Sequence, residues 1–373
     1  MDAHTKAVRL ETPADPKKMY GRYWYRSGIN SSMKDELAGI VESITKLHNP
    51  AIAPLWLDIA SNDGTLLSFV PPESYVRMGI DPVDESFQRE AAEHADILVQ
   101  DFFSATVFKR ATVKKAGVVT CIAMFYDLDA PNIFLNDVRT VMDDDGIFVL
   151  QMSYTPLMIH QTAFDNICHE HVYYYTLLTL TDVLAKSGFQ VMDVQLNDVN
   201  GGSFRVYCMK DSADATKFGT QPYRDVCRFR VDSLRAHEEM TLVNEPEVWE
   251  DFHRQIEDLK KQTINFIKKV KAEGKTVWCY GASTKGNTLL QYFGLDRTLI
   301  DGIAERSPYK FGLRTVGTNI PIYSEEVMRM EKPDYLLVLP WHFISEFVER
   351  EQDYLRAGGK FIVPCPTFKV IGA

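Results

Sequence analysis

The stretch that decides the fold is Leu55-Trp-Leu-Asp58-Ile-Ala-Ser-Asn-Asp-Gly64-Thr-Leu-Leu67. It begins with a short apolar run, continues through small and acidic residues, and returns to apolar residues. A buried strand, a tight turn and the start of a helix account for this order. In a parallel sheet such a turn lets the backbone approach a ligand at the carboxyl ends of the strands. The stretch therefore predicts an α/β unit that binds a ligand.

Short apolar runs alternate with helical stretches on both sides of this turn. The first half of the chain contains four runs that each predict a buried strand: LWLDIA, YVRMGID, VVTCIAM and GIFVLQM. Between about 212 and 265 the sequence predicts helices, and Gly274 provides the signal that ends the last of them. A second strand series then follows: TVWCYGAS, LIDGIAE, YLLVLP and KFIVPCP. This alternation predicts two α/β units with parallel sheets, joined by helices.

An amphipathic helix is predicted before the first strand. Ser31 and Ser32 are suited to a capped helix start, and Asn49 and Pro50 end the pattern. The apolar residues that share one helical face are Leu37, Ile40, Val41 and Ile44. Residues 1 to about 18 are polar and contain two prolines, so we expect a loose lead-in.

The bulk composition excludes several classes of function. The chain has 373 residues, for which two or three domains are expected, and its net charge of -10 argues against general binding of nucleic acids or anionic membranes. No apolar run is long enough to span a bilayer, and the N-terminus lacks the apolar core of a signal peptide. The six cysteines are scattered without a CxxC pair, which favours reduced thiols. We predict a cytoplasmic protein.

Acidic residues follow the first strands of the N-terminal series. Asp58 ends the first strand, Asp81 ends the second, and Asp101 with Phe102 follows the approach to the third. An acid at the tip of the second strand commonly accepts hydrogen bonds from ribose hydroxyls, and Asp101 with its phenylalanine suits an adenine. Turns also favour aspartate for local reasons, so a sheet with an incidentally acidic turn is the alternative.

The order of these acids resembles the S-adenosylmethionine site of class I methyltransferases. The turn is not GxGxxG, and its acids, Asp58 and Asp63, would repel a pyrophosphate but attract a sulfonium cation. This charge favours a methyltransferase over a dehydrogenase. The cofactor-binding residues that the resemblance implies are Asp58, Ala60, Asn62, Gly64, Asp81, Asp101, Phe102 and Phe125.

Two histidines, a glutamate and three tyrosines crowd the segment Phe164–Leu177. A zinc site needs three or four ligands; on a helix His169 and His171 would lie on nearly opposite faces, and no other cluster completes a site, so we predict no metal. One interpretation is a polar loop that caps a helix beginning near Thr176. The other places the segment over the carboxyl edge of the sheet, where Glu170 and His171 suit a general base.

Several segments together resemble the sugar C-methyltransferases that act on nucleotide-linked 4-keto-deoxysugars. They run from about residue 20 to residue 370, and their combination is more specific than any one of them. The shared segments are YWYRSGIN, LDIASNDGTLL, CIAMFYDLDAP, FDNICHEHVYYY, NDVNGGSFRVY, YGASTKGNTLL, SPYKFGL and GTNIPI.

The resemblance implies an order of domains and a reaction. It implies a lead-in and helix that cap the active site (1–50), an S-adenosylmethionine-binding domain (51–211), a helical connector (212–265) and a Rossmann-like domain for the nucleotide sugar (266–373). The fold class is thus α/β, a class I methyltransferase sheet plus a second Rossmann-like domain. In the implied reaction a base removes the proton beside the sugar ketone, and the enolate carbon then takes the methyl group.

The resemblance also assigns catalytic residues. It gives the proton-handling roles to Glu170 and His171, and it matches a substrate-facing tyrosine to Tyr23 or Tyr25, of which we favour Tyr25. Donors that suit the enolate oxygen are Tyr25, His169 and Asn200. Many members begin with a cysteine-rich zinc domain, which this sequence lacks, and carry tyrosine where it has Cys168. We expect the 20–48 segment or a partner chain to close the substrate pocket instead.

The C-terminal series opens with a second turn, Gly281-Ala-Ser-Thr-Lys-Gly286. Backbone amides at a helix start plus one lysine are the ingredients of a phosphate cradle, whereas the GxxxxGK[ST] spacing of an ATPase loop is absent. A fold relic without a ligand is the alternative. Together with the earlier candidates, the predicted substrate-binding residues are Tyr23, Asn200, Arg205, Lys285, Asn287, Glu305 and Lys310. Gly201 and Gly202 suit a hairpin connection at least as well as a ligand.

We therefore expect an S-adenosylmethionine-dependent C-methyltransferase whose partner is a small nucleotide sugar, in a chain that could form a homo-oligomer. Methylation of oxygen or nitrogen in another small molecule is the first alternative, because it needs no enolate. A non-catalytic nucleotide-sugar-binding protein is the second.

Overall fold

The structure is a computed structural model that describes residues 7–15, 19 and 25–372. The chain divides into two compact units. The first comprises Met1–Pro156 and His169–Glu245, and the second comprises Leu157–Cys168 and Pro246–Ala373. The segment that leads into the HEH run therefore belongs to the second unit, while His169 begins the return to the first.

The first unit contains nine strands among its described residues. They are β1 (Val8–Arg9), β2 (Leu55–Ile59), β3 (Val76–Ile80), β4 (Ile97–Val99), β5 (Ala116–Ile122), β6 (Met142–Ser153), β7 (Tyr173–Tyr174), β8 (Phe189–Asn197) and β9 (Ser203–Lys210). Seven of them form one sheet in the order β4-β3-β2-β5-β6-β9-β8, and β1 pairs separately with β7.

The order of this sheet identifies where a ligand can bind. Strands β4, β3, β2, β5 and β6 are parallel, whereas β9 runs antiparallel to β6 and to β8. The chain proceeds outward from β2 to β3 and β4, then returns to β5 on the other side of β2. The carboxyl ends of β2 and β5 thus lie at the topological switch point, where open α/β sheets bind their ligands.

Helices cover this sheet, beginning with the predicted amphipathic helix. The helices of the first unit are α1 (Ser31–Thr45), α2 (Thr65–Phe69), α3 (Glu85–Ala91), α4 (Ala105–Ala111), α5 (Pro131–Val141), α7 (Leu177–Lys186) and α8 (Gln221–Thr241). Between α5 and α7, α6 (Thr155–His160) begins in the first unit and continues in the second. All four predicted apolar residues of α1 are buried, and they pack in one cluster with Trp56 of β2 and Leu67 of α2. The residue before α1 is Asn30, and its side chain does not cap the helix.

The second unit is built around a six-stranded sheet. Its strands are β10 (Val277–Tyr280), β11 (Ile303–Glu305), β12 (Ile322–Ser324), β13 (Tyr335–Val338), β14 (Lys360–Val363) and β15 (Lys369–Ile371), in the order β12-β11-β10-β13-β14-β15. Only β15 is antiparallel to its neighbour. The helices are α9 (Pro246–Ala272), α10 (Thr284–Phe293), α11 (Glu325–Glu331), α12 (Ile344–Arg350) and α13 (Gln352–Arg356).

The strand and helix predictions agree with this architecture. All eight apolar runs form strands, and Gly274 follows α9 in the left-handed conformation with φ 79°. Gly201 and Gly202 lie in the connection between β8 and β9, as expected for a hairpin. The short strands β1, β7, β12 and β15 are too brief to leave a recognisable period in the sequence. In the described parts of the chain, no helix is both long and apolar enough to cross a membrane.

Candidate functional site

The carboxyl edge of the first sheet holds a cluster of strained backbone. Ala60 and Asn62 adopt φ values of 60° and 52° in the turn after β2, and Ala123 adopts 55° directly after β5. Non-glycine residues avoid this left-handed region, and strain of this kind is concentrated at ligand-binding and active sites. The strained residues flank the switch point of the sheet, so this edge is the candidate cofactor site.

Glycine is required where the turn enters α2. Gly64 has φ 76°, and a Cβ atom placed there would lie 2.8 Å from the Ala91 backbone. Ser61 in the same turn is buried, and its Oγ has no hydrogen-bond partner among the described residues. An unsatisfied buried polar atom at a ligand edge is consistent with a partner that arrives with the ligand.

Two buried acids lie at this edge. Asp58 accepts a hydrogen bond from Thr120 Oγ1 at 2.6 Å, and burial raises the pKa of its carboxyl to about 7. Asp81 accepts backbone hydrogen bonds from Asn62 (2.8 Å) and Val83 (2.9 Å), and burial raises its pKa as well. Ionised carboxylates in such surroundings gain from a nearby cation. The residues of this edge therefore fit S-adenosylmethionine, whose sulfur is positively charged.

Three other predicted cofactor residues differ in how they are placed. Asp101 and Phe102 are exposed, and the Asp101 carboxylate accepts a hydrogen bond from the Phe102 amide. Phe125 is fully buried between the rings of Phe134 and Tyr175, so the prediction that it contacts the cofactor is wrong in this structure. Sequence alone marked its position after β5 but not the direction of its ring.

The predicted catalytic tyrosine lies beside the cofactor turn. Tyr25 is 41% exposed as a residue, and its carbonyl accepts a hydrogen bond from Asn62 Nδ2 at 3.0 Å. Burial of its hydroxyl and the nearby Asp63 carboxylate raise its pKa to about 12. Its phenol therefore stays protonated at neutral pH and can donate a hydrogen bond. Tyr23, the alternative, lies outside the described residues.

The HEH run reaches the same edge. His171 is buried, with 8% of its surface exposed, and its ring packs edge-on against Tyr126 with centroids 4.4 Å apart. Tyr126 belongs to the short turn that directly follows β5, which places the imidazole at the carboxyl edge of the sheet. His169 is exposed, and its Nε2 lies 3.8 Å from the Glu170 carboxylate. Burial raises the pKa of Glu170.

The described residues show no group of side chains suited to bind a metal ion. Among the residues that the structure describes, no three His, Cys, Asp or Glu side chains are placed to hold one ion. All six cysteines are buried, and none of them forms a disulfide bond.

Arg205 is a correction to the predicted substrate site. Its guanidinium is buried and forms an ion pair with Glu36, and it also donates hydrogen bonds to Gln151 Oε1 (2.9 Å) and Tyr207 Oη (3.3 Å). The alternation of β9 predicted the face of the sheet on which Arg205 lies, but not that α1 supplies a carboxylate there. The prediction that Arg205 meets a phosphate is therefore wrong. Asn200 lies in the Val199–Gly201 turn, and its side chain is outside the described part.

In the second unit, hydrogen bonds of the same kind hold the turn that follows β10. Glu305, at the end of β11, accepts hydrogen bonds from the amides of Ala282 (2.6 Å) and Ser307 (2.8 Å). Lys310 donates to the Ala282 carbonyl at 2.8 Å, and the amide of Gly286 donates to Ser283 Oγ. Two of the amides expected to cradle a phosphate are thus occupied within the protein, and both oxygens of Glu305 are engaged.

Lys285 contributes a positive charge at the start of α10. It lies in the field of Asp165, a buried residue that accepts a hydrogen bond from Trp341 Nε1 at 3.2 Å. Burial lowers the pKa of Lys285, whereas Asp165 opposes that effect. Burial and the positive charge of Lys285 also lower the pKa of His342 to about 3, so this imidazole is neutral. Asn287 Oδ1 is buried there and has no hydrogen-bond partner among the residues that the structure describes.

Several residues of these two clusters were not singled out by sequence analysis. Ser27, Gly28, Ser61, Tyr126 and Asp165 lie in the quoted segments, and Trp341 directly follows one of them. Ser61 and Tyr126 stand next to residues that were singled out, so proximity in sequence was the one available signal for them.

Comparison with known proteins assigns both parts of the chain. Residues 31–194 match the family described as "Methyltransferase domain", and residues 198–366 match the one described as "C-methyltransferase C-terminal domain". The C-methyltransferase NovU of Streptomyces niveus is 28% identical over 368 residues, which cover 98% of this chain and 85% of that protein.

Two solved methyltransferase structures are similar to part of this chain. The 1,6-didemethyltoxoflavin-N1-methyltransferase of Burkholderia thailandensis has a TM-score of 0.36 at 12% identity and covers 48% of this chain and 78% of that one. The magnesium protoporphyrin IX methyltransferase of Synechocystis PCC 6803 has a TM-score of 0.36 at 12% identity and covers 52% of this chain and 91% of that one.

The sequence predictions that these findings confirm are the class I methyltransferase fold, the methyltransferase activity and the cofactor. The resemblance to C-methyltransferases is confirmed at that level. The nucleotide sugar and the roles of individual residues stay predictions.

Proposed function

Because the protein is an S-adenosylmethionine-dependent C-methyltransferase, we propose that it methylates a nucleotide-linked keto-deoxysugar at the carbon beside the ketone. S-adenosylmethionine supplies the methyl group when bound. A carbon atom becomes nucleophilic only after it loses a proton, and a neighbouring ketone makes this loss feasible because the enolate places its charge on oxygen. The protein must therefore supply a base and a hydrogen-bond donor.

The observation that carries the proposal is the position of His171. Its ring is buried against Tyr126, next to the carboxyl end of β5 and hence next to the switch point of the sheet. We assign it the removal of the proton from the sugar carbon, a role that contributes about 10²–10⁴-fold in rate. Glu170 precedes it with a carboxyl whose pKa is raised, so this group is suited to hold or pass on the proton.

Tyr25 supports the second half of the reaction. The phenol of Tyr25, whose pKa is raised to about 12, is protonated at neutral pH, as an ordinary tyrosine is, and can donate to the enolate oxygen. Its 41% exposure leaves the ring accessible to a substrate. His169, also exposed, and Asn200 are the other donors in this proposal.

The nucleotide half of the substrate is assigned to the second unit by itself. Lys285 provides a positive charge at the start of α10, where a diphosphate gains from both the lysine and the helix N-terminus. Asn287 offers a buried carboxamide oxygen without a partner, which is suited to a hydroxyl or amino group. Glu305 and Lys310 hold the turn in shape in this proposal.

Proton exchange tests the proposal before any methyl transfer. A panel of nucleotide 4-keto-sugars is incubated with the protein in D₂O together with S-adenosylhomocysteine, which cannot donate a methyl group. We expect deuterium at the carbon beside the ketone in one member of the panel, and a loss of about 10²-fold or more in that rate with His171→Ala.

The matched control is His237→Ala, because His237 is an exposed histidine on α8. It should exchange deuterium at the wild-type rate. Equal exchange rates in His171→Ala and wild type would reject His171 as the base. No exchange with any keto-sugar, together with methylation of oxygen or nitrogen in another molecule, would reject the proposed substrate class.

A further inference from the structure

Residues Tyr25–Asn30 form an N-terminal strap that is tied to the cofactor turn. Asn62 Nδ2 donates to the Tyr25 carbonyl at 3.0 Å, and the Ser27 amide donates to Asn62 Oδ1 at 3.1 Å. One carboxamide therefore bridges the backbone on both sides of Arg26. The Gly28 amide adds a bond of 2.8 Å to Asp63 Oδ2.

The same asparagine belongs to the cofactor turn through its backbone. The Asn62 amide donates to Asp81 Oδ2 at 2.8 Å, and its φ of 52° lies in the left-handed region that asparagine tolerates better than most residues. Asp63, its neighbour, accepts from Thr65 Oγ1 at 2.6 Å inside the turn as well as from the strap. Asn62 and Asp63 thus each form at least one hydrogen bond within the turn and at least one with the strap.

This geometry gives the side chain of Asn62 a task other than cofactor contact. Both ends of its carboxamide are used by the strap, so only its backbone faces the acid that is expected to receive the ribose. A ligand that fixes Asp81 also fixes the Asn62 amide, and through the side chain it restricts the backbone that carries Tyr25. The bonds run in one continuous chain from acid to tyrosine.

We infer that Asn62 is a positioning residue, which couples occupancy of the cofactor turn to the placement of Tyr25. The inference rests on the role of Tyr25 in the proposed function, but the coupling itself can be measured without a sugar substrate. It makes binding of the cofactor a condition for the ordered arrangement of the donor.

Hydrogen exchange at the Ser27 and Gly28 amides tests this coupling. In wild type we expect S-adenosylhomocysteine to slow exchange of both amides by about tenfold or more. Asn62→Gly keeps the left-handed backbone and its amide bond to Asp81 but removes the bridge. The ligand should then still bind within about threefold of its wild-type affinity, while the protection that it gives Ser27 disappears. Unchanged protection in this variant would overturn the inference.

Asn319→Gly is the matched control, because Asn319 adopts the same left-handed conformation with φ 56° in the second unit. It should leave the exchange of the strap and the catalytic rate as they are in wild type. A loss of strap protection in both variants would show a general effect of glycine and would contradict a specific role for Asn62.

A second variant approaches the bond from the strap. A Cβ atom at Gly28 would lie 2.9 Å from Thr65 Oγ1 and 3.2 Å from Asp63 Oδ2, so Gly28→Ala must shift either the strap or the two side chains to which the strap is tied. Should Asn62→Gly fail to fold, this variant alone decides: loss of ligand-dependent protection supports the coupling, and retained protection contradicts it.

Kinetics separate this inference from the proposed function. With the methyl-accepting substrate, Asn62→Gly should lower kcat by about 10- to 100-fold with little change in KM for S-adenosylmethionine, because a displaced donor affects the transition state. A rise in KM for S-adenosylmethionine as large as the fall in kcat would mean that Asn62 contacts the cofactor directly, and it would overturn the coupling. A wrong sugar class would show in the product, while the exchange result with S-adenosylhomocysteine would stand.

Discussion

The two turns that open the two sheets share one hydrogen-bonding device but differ in charge. In the first unit Asp81 directly follows β3. It accepts hydrogen bonds from the amides of Asn62 and Val83. In the second unit Glu305 occupies the matching place and accepts the amides of Ala282 and Ser307. In each unit the acid accepts one hydrogen bond from an amide of the turn and one from the amide two residues after the acid itself.

The difference lies in what surrounds this device. The first turn contains buried Asp58 and the strap-bound Asp63, whereas the second turn leads into α10, whose second residue is Lys285. The shared acid therefore shapes the turn, and the remaining charges select the ligand. By this comparison the first turn suits a cation such as a sulfonium, and the second suits an anion such as a diphosphate.

The largest expected effect comes from removing the shared acid in each unit separately. Asp81→Ala leaves two turn amides without their acceptor and removes the expected ribose contact, so affinity for S-adenosylhomocysteine should fall by about 10²-fold. Calorimetric titration measures this directly. Glu305→Ala makes the same change in the second unit and should leave that affinity within about twofold. Equal losses in the two variants would erase the functional difference between the turns.

A smaller effect is expected from removing the cation of the second turn. Lys285→Met keeps the length of the side chain but not its charge, so affinity for a nucleoside diphosphate should fall about 10- to 100-fold while affinity for S-adenosylhomocysteine is retained. Lys332→Met serves as control, because Lys332 follows α11 at an exposed position. If the nucleotide binds Lys285→Met as tightly as wild type, the anion-binding role of this turn is wrong.

The pH dependence of stability provides a third test, specific to the acidic turn. The pKa of Asp58 is about 7 in the folded protein, above its ordinary value of 3.8, so the folded state holds this proton more tightly than the unfolded state. The free energy of unfolding contributed by Asp58 should therefore fall as pH rises from about 4 to 7 and stay constant above that range, by a few kcal/mol in total.

Asp58→Asn should remove this fall, because its side chain can still accept from Thr120 but cannot ionise. Denaturant unfolding at pH 5 and pH 8 measures the effect, and the stability of the variant relative to wild type should be greater at pH 8 than at pH 5. If the free energy of unfolding falls equally with pH in the variant and in wild type, the group that titrates is not Asp58.

The smallest effect concerns the ligand charge that the first turn senses. S-adenosylmethionine carries a sulfonium, whereas S-adenosylhomocysteine carries a neutral thioether. As pH rises through about 7 and Asp58 ionises, the ratio of their affinities should shift toward S-adenosylmethionine by a few-fold in wild type, and not in Asp58→Asn. A ratio that does not depend on pH in wild type would show that Asp58 does not sense the sulfur charge.

The sequence was sufficient to predict the architecture because the relevant signals are local. Apolar runs of strand length, a small-residue turn and one-sided helices such as α1 each occupy a few consecutive residues. The same locality explains why Asp58, Asp81 and Asn62 could be picked as residues of the cofactor edge.

Contacts between distant segments could not be predicted in this way. Arg205 lies on the predicted strand, but its partner Glu36 comes from a helix 169 residues away in sequence. The bond between Asn62 and the strap likewise joins segments 37 residues apart through a side chain and a backbone carbonyl, a pairing that leaves no periodic signal. Phe125 shows the limit for orientation, since its place after β5 does not determine which way its ring turns.

The most direct test of the central claim is the position of the transferred methyl group. The protein is incubated with S-adenosylmethionine carrying a ¹³C-labelled methyl group and with the nucleotide keto-sugar that exchanges deuterium, and the product is examined by NMR. The account predicts the label on the carbon beside the ketone, coupled to its carbon neighbours. A label attached to oxygen or nitrogen would contradict it.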